Sequence, residues 1–385
     1  MAMSLIVDEH RQFLADRSRV QALRHAIAET VKPGDVVLDL GSGTGILGLL
    51  ACEAGARRVY SVEQGGMIGL ARQVAQANFF DDRIVFIKGL STRVELPEKV
   101  DVAVCDQMGR FGFEAGVIEF FNDARARFLK AAGNLIPRKI EMFLAPVECQ
   151  TIWNQIEFWN HLPAGFNFSP ARTWAANTAY PIKLEPSQLL GEPGMLCSID
   201  LSHDTPQMLS GTTTLQITRP GTLHGMGGWF SAQLSQNVTM SNSPLIPEPI
   251  RRRNVFLPFD HSVAVNKGDS LRIRIHIAPA DVLLTWDVEV MRASASGENV
   301  AKERFRHSTL SGMLLCKEDL ERMRPQFIPQ LSSWGKARRS ILELCNGNIS
   351  LAQIEEEVYR RHSNLFSSLG EAASFVSEVI TLYSI

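Results

Sequence analysis

The run Val36-Val37-Leu38-Asp39-Leu40, followed by Gly41-Ser42-Gly43-Thr44-Gly45 and closed by Val59-Tyr60-Ser61-Val62-Glu63, constrains this chain more than any other stretch. The apolar run from Val36 to Leu40 suits a strand buried on both faces of a parallel sheet. Three alternate glycines then let the backbone turn sharply and lie bare against a ligand. A helix expected from about Ile46 through Ala54 aims its N-terminus at whatever the loop holds. Glu63 ends the next strand, where a carboxylate accepts hydrogen bonds from two ribose hydroxyls. A dinucleotide fingerprint, G-x-G-x-x-G, requires glycine at position 46, and this chain has Ile46. The pattern therefore favours S-adenosylmethionine over NAD, although a glycine-rich loop by itself is also what any tight turn collects.

Composition narrows the partners. The chain has 385 residues, 45% hydrophobic and 21% charged, with a formal net charge of -2. That length accommodates two or three domains. No basic excess exists to neutralise a nucleic-acid backbone, so nucleic acid is not expected as a partner. The run Arg251-Arg252-Arg253 is the local exception and is expected to be a solvated loop. Six cysteines at 52, 105, 149, 197, 316 and 345 show neither metal-ligand nor disulfide spacing, so no metal site is expected and a reducing cytoplasm fits. There is no secretory signal pattern and no apolar run long enough to span a bilayer, so no membrane partner is expected.

Strand-like runs alternate with helical patterns at Val36–Leu40, Arg58–Val62, Ile84–Ile87, Val100–Cys105 and Glu141–Ala145, after an amphipathic helical lead-in from His10 to Ile27. Such alternation predicts a doubly wound α/β, Rossmann-like domain over residues 1–148. From Cys149 the texture changes to short strands, prolines and turns, with runs at Thr213–Ile217, Gly227–Leu234, Ser270–Ile277 and Leu283–Met291. This predicts an antiparallel β domain over 149–308 with an insertion at about 166–195. A small, mostly helical domain follows at 316–385, with helices expected at Ala337–Leu344 and Leu351–His362.

Across roughly Leu5 to Met291 the chain resembles the protein arginine methyltransferases. His10, Phe13, Leu14, Asp16 and Arg19 match the family helix whose arginine grips the donor's carboxylate; Val37–Gly45 matches the donor loop, and Glu63 the ribose position. Lys88-Gly89 and Val94-Glu95-Leu96-Pro97 match the segment flanking the adenine. Asp101–Gly109 resembles the family's acidic loop, with Asp106 and Glu114 as its two carboxylates. Leu129–Pro137, Ala145-Pro146 and Leu223-His224-Gly225-Met226 continue the match into a β-barrel. The resemblance implies S-adenosyl-L-methionine as cofactor, held by Arg19, Asp39, Gly41, Gly43, Gly45, Ile46, Leu47, Glu63, Gln64, Ser91 and Asp106. It implies Asp106, Glu114 and Met108 as catalytic positions, with Met108 lining the pocket. It also implies a homodimer in which the insertion at 166–195 docks as an arm on the second copy.

The chemistry explains why such groups are wanted. Methyl transfer from a sulfonium is an in-line displacement, so the acceptor must be held at about 3 to 3.5 Å with its lone pair on the methyl carbon. A guanidinium is a poor nucleophile because its charge is delocalised and its pKa exceeds about 12. Two carboxylates gripping its donor fork draw positive charge toward the held nitrogens and leave the third more nucleophilic. Other readings stay open. Glu114 also suits the start of a helix at Ala115–Leu129, where an acid favours the dipole, and Arg19 also suits a surface ion pair with Asp16.

Departures from the family bear on the acceptor. Asp106 stands where the family has glutamate, withdrawing the carboxylate by about one bond, roughly 1.5 Å, and the spacing to Glu114 is one residue short. Only Met1–Val7 precede His10, so the family's closing aromatic helix is largely missing, and its Thr-His-Trp loop is replaced near Pro249-Ile250-Arg251. At the other end, Ile341–Asn348 and Ser350–Ile354 resemble winged-helix, PqqD-like peptide-recognition modules, with Asn346-Gly347 as the turn and Ser350 capping the next helix. Such modules add an extended peptide to a sheet edge. The expectation is an S-adenosylmethionine-dependent N-methyltransferase acting on a guanidine nitrogen of a peptide or small metabolite. Its rivals are a small-molecule N- or O-methyltransferase using Asp106 as a simple base, and a donor-binding scaffold without turnover.

Overall fold

The computed structural model describes residues 6–293, 299–314, 316–322 and 324–384. The chain divides into two compact units, 1–313 and 314–385. The first unit opens with helices α1 (Ile6–Leu14) and α2 (Arg17–Thr30), so the single lead-in helix expected from His10 is broken at Ala15–Asp16. The break has a local cause: Asp16 is the N-cap of α2, its carboxylate accepting the backbone N–H of Arg19 at 3.3 Å.

Then follow β1 (Val36–Leu40), α3 (Ile46–Glu53), β2 (Arg58–Glu63), α4 (Met67–Ala77), β3 (Ile84–Lys88), β4 (Val100–Cys105), α5 (Val117–Arg127) and β5 (Leu129–Ile136). The five strands form a parallel sheet in the order β3-β2-β1-β4-β5. The order reverses between β1 and β4, and ligands of open α/β sheets bind at the carboxyl ends of strands flanking such a switch point. All five residues of β1 are buried, as a strand covered on both faces requires.

Two expectations shift here. Glu141–Ala145 lies in β6 (Lys139–Val147), which leaves the parallel sheet and pairs antiparallel with barrel-side strands. Over Lys139 to Leu144 only the even positions are buried, before burial becomes continuous from Ala145 to Val147. That alternation is the signature of a strand with one wet face rather than two dry ones. The fifth parallel strand is instead β5, whose Leu-Lys-Ala-Ala-Gly-Asn run is largely exposed and carries little strand signal. The helix expected to reach Leu129 accordingly stops at Arg127.

After β6 the chain runs through α6 (Gln150–Glu157), α7 (Ala171–Ala176), β7 (Tyr180–Ile182), β8 (Gly194–Asp200), β9 (Leu209–Gln216), β10 (Gly221–Gln233), β11 (Thr239–Ser241), β12 (Asn254–Val265), β13 (Ser270–Ala278), β14 (Leu283–Ala293) and β15 (Asn299–Ser308). One antiparallel sheet has the order β7-β12-β10-β6-β8, with β11 added to β10; the other is β15-β14-β13-β9. A single apolar core runs from Leu38, Val62 and Val104 of the parallel sheet through Met142 and Phe230 to Ile275 and Trp286 of the second antiparallel sheet.

The second unit holds α8 (Lys317–Arg322), α9 (Ser333–Leu344), α10 (Leu351–Arg361) and α11 (Leu369–Tyr383), the last three packed around Ile341, Ile354, Val358, Phe366 and Val376. Ser350 caps α10 in a capping box with Gln353, and Gly347 takes the left-handed turn conformation, φ +79°, after Asn346. No strand forms among the described residues of this unit, so the sheet edge of a winged helix is not among them.

Candidate active site

Gly41, Gly43 and Gly45 have φ of +69°, +53° and +80°, the left-handed region open cheaply only to glycine. The loop therefore needs all three, and α3 starts directly from Gly45. Asp39, fully buried at the end of β1, accepts the N–H of Gly48 at 3.1 Å and so fixes the helix against the strand. Its other oxygen has no partner among the described residues. Burial, reinforced by the nearby charge of Glu63, pushes the Asp39 carboxyl up to about 7. Glu63 accepts the N–H of Gly43 at 2.9 Å and of Gly65 at 2.6 Å, one on each oxygen. A carboxylate offers about four acceptor positions, so each oxygen retains one.

A cavity of about 510 Å³ opens at the switch point, lined by His10, Arg19, Gly41, Ser42, Gly43, Ile46, Leu47, Glu63, Asp106, Gln107, Arg110 and Arg252 among others. A smaller one, about 130 Å³, shares Gly41, Glu63 and Gln107 with it and continues to Gln64, Gly89, Leu90 and Ser91. Gln64 and Ser91 thus lie beyond Glu63 at the end opposite Arg19. Gly45 is absent from both linings; a Cβ there would meet Ala71 at 3.3 Å, so its role is close packing of the helix start.

Asp106 follows the last residue of β4, and its nearly buried carboxylate pairs with Arg19, reaching in from α2, and with Arg252 at 3.3 Å. Arg252 also donates to the carbonyls of Gly109 and Asp106, at 3.2 Å each. The surface pair weighed for Arg19 does not form: Asp16 is buried and binds the backbone N–H groups of Arg19 and Arg251 instead. Phe13 lies under the Arg19 guanidinium, 4.6 Å from ring centroid to charge, a favourable cation–π placement.

Glu114 is placed differently from Asp106. Its carboxylate accepts the N–H of Phe111 at 2.8 Å and of Phe113 at 3.4 Å, and occupies the space a Cβ on Gly109 would need. Burial raises its pKa against these hydrogen bonds. It is not among the residues lining the larger cavity. Met108, expected to line the pocket, is also elsewhere: it is fully buried in the main core, where an apolar side chain beside Phe111 and Phe113 gains most from leaving water.

Sequence reasoning missed Arg252. A triplet of arginines reads as solvated, yet only Arg251 and Arg253 are exposed, and the middle side chain turns inward with 13% of its surface exposed. The signal was present, since alternate residues entering a strand point to opposite sides. Gln107 was missed too; it packs so closely on the bare backbone that a Cβ on Gly41 would lie 1.8 Å from its amide nitrogen.

Residues 138–291 match the arginine methyltransferase oligomerization subdomain, and residues 21–137 match the ribosomal protein L11 methyltransferase family. Neither match extends beyond 291, and they meet where β5 gives way to β6. Protein arginine N-methyltransferase 6 of Xenopus tropicalis is 28% identical over 290 residues, 72% of this chain and 85% of that protein. Protein arginine N-methyltransferase 2 of Dictyostelium discoideum is 31% identical over 235 residues, 58% of this chain and 46% of that protein. Among solved structures, Arabidopsis thaliana protein arginine methyltransferase 10 superposes with a TM-score of 0.68 at 24% identity, covering 78% of this chain and 97% of that one. A Trypanosoma brucei PRMT1 enzyme–prozyme heterotetrameric complex with AdoHcy gives 0.68 at 23% identity, covering 77% and 97%. With a glycine loop and carboxylate at the switch point and an antiparallel β domain behind them, the chain is similar to the protein arginine methyltransferases and is an S-adenosylmethionine-dependent methyltransferase.

Proposed function

We propose that the chain methylates a guanidine nitrogen of arginine in a peptide, or of a small arginine-like molecule. The observation carrying this reading is the 510 Å³ cavity in which the donor loop, Glu63, Arg19 and Asp106 meet. The donor fits the residues present: Ser42 lines the cavity, its buried hydroxyl has no partner among the described residues, and Glu63 keeps an open position on each oxygen. Bound S-adenosylmethionine supplies an electrophilic methyl on a sulfonium. In our reading Arg19 exchanges Asp106 for the donor carboxylate, Glu63 takes the ribose hydroxyls, and Gln64 and Ser91 flank the adenine. Asp39, Gly41, Gly43, Gly45, Ile46 and Leu47 set the loop.

Asp106, released by Arg19, then grips the acceptor guanidinium. Glu114 is the second carboxylate, which requires it to leave the N–H groups of Phe111 and Phe113. Its present orientation favours one alternative, in which Asp106 acts alone as a base on another acceptor. Calorimetric titration with S-adenosylhomocysteine tests the donor site, and labelled donor offered with peptides, free arginine and amines tests the acceptor. Heat without transfer to any guanidine would overturn the acceptor assignment; no heat would overturn the donor site.

We assign donor binding to 1–148 and the acceptor wall to 149–308, with the segment at 166–195 as the arm of a homodimer. Support for the arm comes from exposed Phe166, Phe168 and Trp174 and from the oligomerization family that spans it. For 316–385 we propose the PqqD-like, winged-helix role of holding a peptide, with the turn at Asn346-Gly347 and the Ser350 cap as its support. Deleting 316–385 should then raise KM for a peptide and leave free arginine unaffected. A cytoplasmic location accords with cysteines that form no disulfide among the described residues, and no helix among those residues is long and apolar enough to cross a membrane.

A further inference from the structure

Beside the larger cavity, and sharing Arg19 and Arg252 with it, lies a groove of about 310 Å³ bounded by Arg11, Phe13, Asp16 and Arg251. Four arginines and one aspartate line it. Three of the four arginines are already paired with a carboxylate, and Arg251 is the exception. Arg11 pairs with Asp8 at 2.6 Å. Arg19 and Arg252 share the single carboxylate of Asp106. Both oxygens of Asp16 are committed to backbone N–H groups, Arg19 at 3.3 Å and Arg251 at 2.7 Å. The Arg251 side chain is exposed and makes no hydrogen bond or ion pair with a described residue. A second cationic group on an acceptor would be repelled from this groove, whereas a carboxylate would meet planar donor forks suited to bidentate pairing.

We propose that the acceptor carries a carboxylate that docks in this groove, against Arg251, while its guanidine lies at Asp106. This rests on the guanidine reading above and specifies the acceptor class. A phosphodiester chain is the poorer occupant, because a net charge of -2 leaves no wider basic surface to track a polyanion. The carboxylate comes either from an acidic side chain beside the target arginine or from the α-carboxylate of a free amino acid.

Two matched pairs separate these sources: capped peptides with Asp or Asn next to arginine, and free arginine against argininamide. Each is assayed with the wild type and with Arg251→Gln, which keeps the N–H bonded to Asp16 and so should melt at the wild-type temperature. The carboxylate member of at least one pair should show a KM about three- to tenfold lower than its neutral partner at equal kcat. Arg251→Gln should erase that preference without changing KM for the neutral member. Equal KM values within both pairs, or a preference that survives Arg251→Gln, overturn the proposal. Should no acceptor turn over, the guanidine reading fails, and calorimetry of the same four compounds on protein saturated with S-adenosylhomocysteine still reads the groove. There, tighter binding of a carboxylate member lost in Arg251→Gln supports it, and indifference overturns it.

Discussion

The two halves we propose for the site, one for the donor and one for the acceptor, are built on different principles. The donor half is main chain: a glycine loop, one helix start, and Glu63 tying the loop to β2 across twenty residues. The acceptor half is side chain and long-range, with Asp106 met by Arg19 from 87 residues away and by Arg252 from 146. A cradle of backbone is specified by local conformational need, whereas a charge cluster exists only once the fold has assembled it. The donor half should therefore fail all at once when its backbone is altered, and the acceptor half should be tunable one side chain at a time.

The largest effect is expected at Gly41. A β-branched residue there must adopt φ +69° and displace the Gln107 amide, so Gly41→Val should weaken S-adenosylhomocysteine binding by at least about a hundredfold. Calorimetry on protein shown to be folded by circular dichroism reads this. Binding within threefold of wild type would mean the bare loop is not the cradle. Should the variant not fold, Glu63→Gln serves with the same readout.

Next in size, Asp106→Asn should lower turnover on a guanidine acceptor by about a hundred- to a thousandfold. Because it frees Arg19, the same change should leave affinity for S-adenosylhomocysteine equal or several-fold tighter. A donor affinity that drops together with turnover would erase the distinction between the halves. Glu114→Gln comes third, with an expected loss of about ten- to a hundredfold and no change in donor binding. A loss below threefold would show Asp106 working without a second carboxylate, in keeping with where Glu114 sits against Phe111 and Phe113.

The same division explains what the sequence disclosed. The parallel sheet, its glycine loop and the placement of Asp39, Glu63 and Asp106 were readable because each follows from residues adjacent in the chain. Arg252 was harder to read because alternation sets it opposite Arg251 and Arg253, but only the assembled fold decides which side faces inward. Met108 was misplaced because the resemblance supplies a position in a motif, while burial in the main core decides what that position touches. β5 was weak for the opposite reason: an exposed edge strand has few apolar residues to announce it. The insertion and the helical second unit were legible as texture but not as contacts.

The smallest predicted effect turns on the contrast between Asp39 and Asp106. Asp106 is paired on both oxygens, while Asp39 is buried with one oxygen unpartnered and its carboxyl pushed up to about 7. A folded-state pKa above the unfolded value of about 3.9 means that the folded protein prefers the neutral acid. Below the unfolded value nothing is lost; as pH rises toward 7, the unfolded chain releases the proton that folded Asp39 still holds, and stability falls progressively. Between pH 5 and 7 this amounts to about 2 to 3 kcal/mol at about 1.4 kcal/mol per pH unit. Asp39→Asn, which can still accept from Gly48, should flatten that part of the stability curve, measured by urea unfolding of donor-free protein. At pH 7 the variant should therefore gain relative to wild type, and near pH 4 the gain should vanish. Parallel curves for the two proteins would show that Asp39 is already ionised at low pH, and that the donor half stores no charge strain before its ligand arrives.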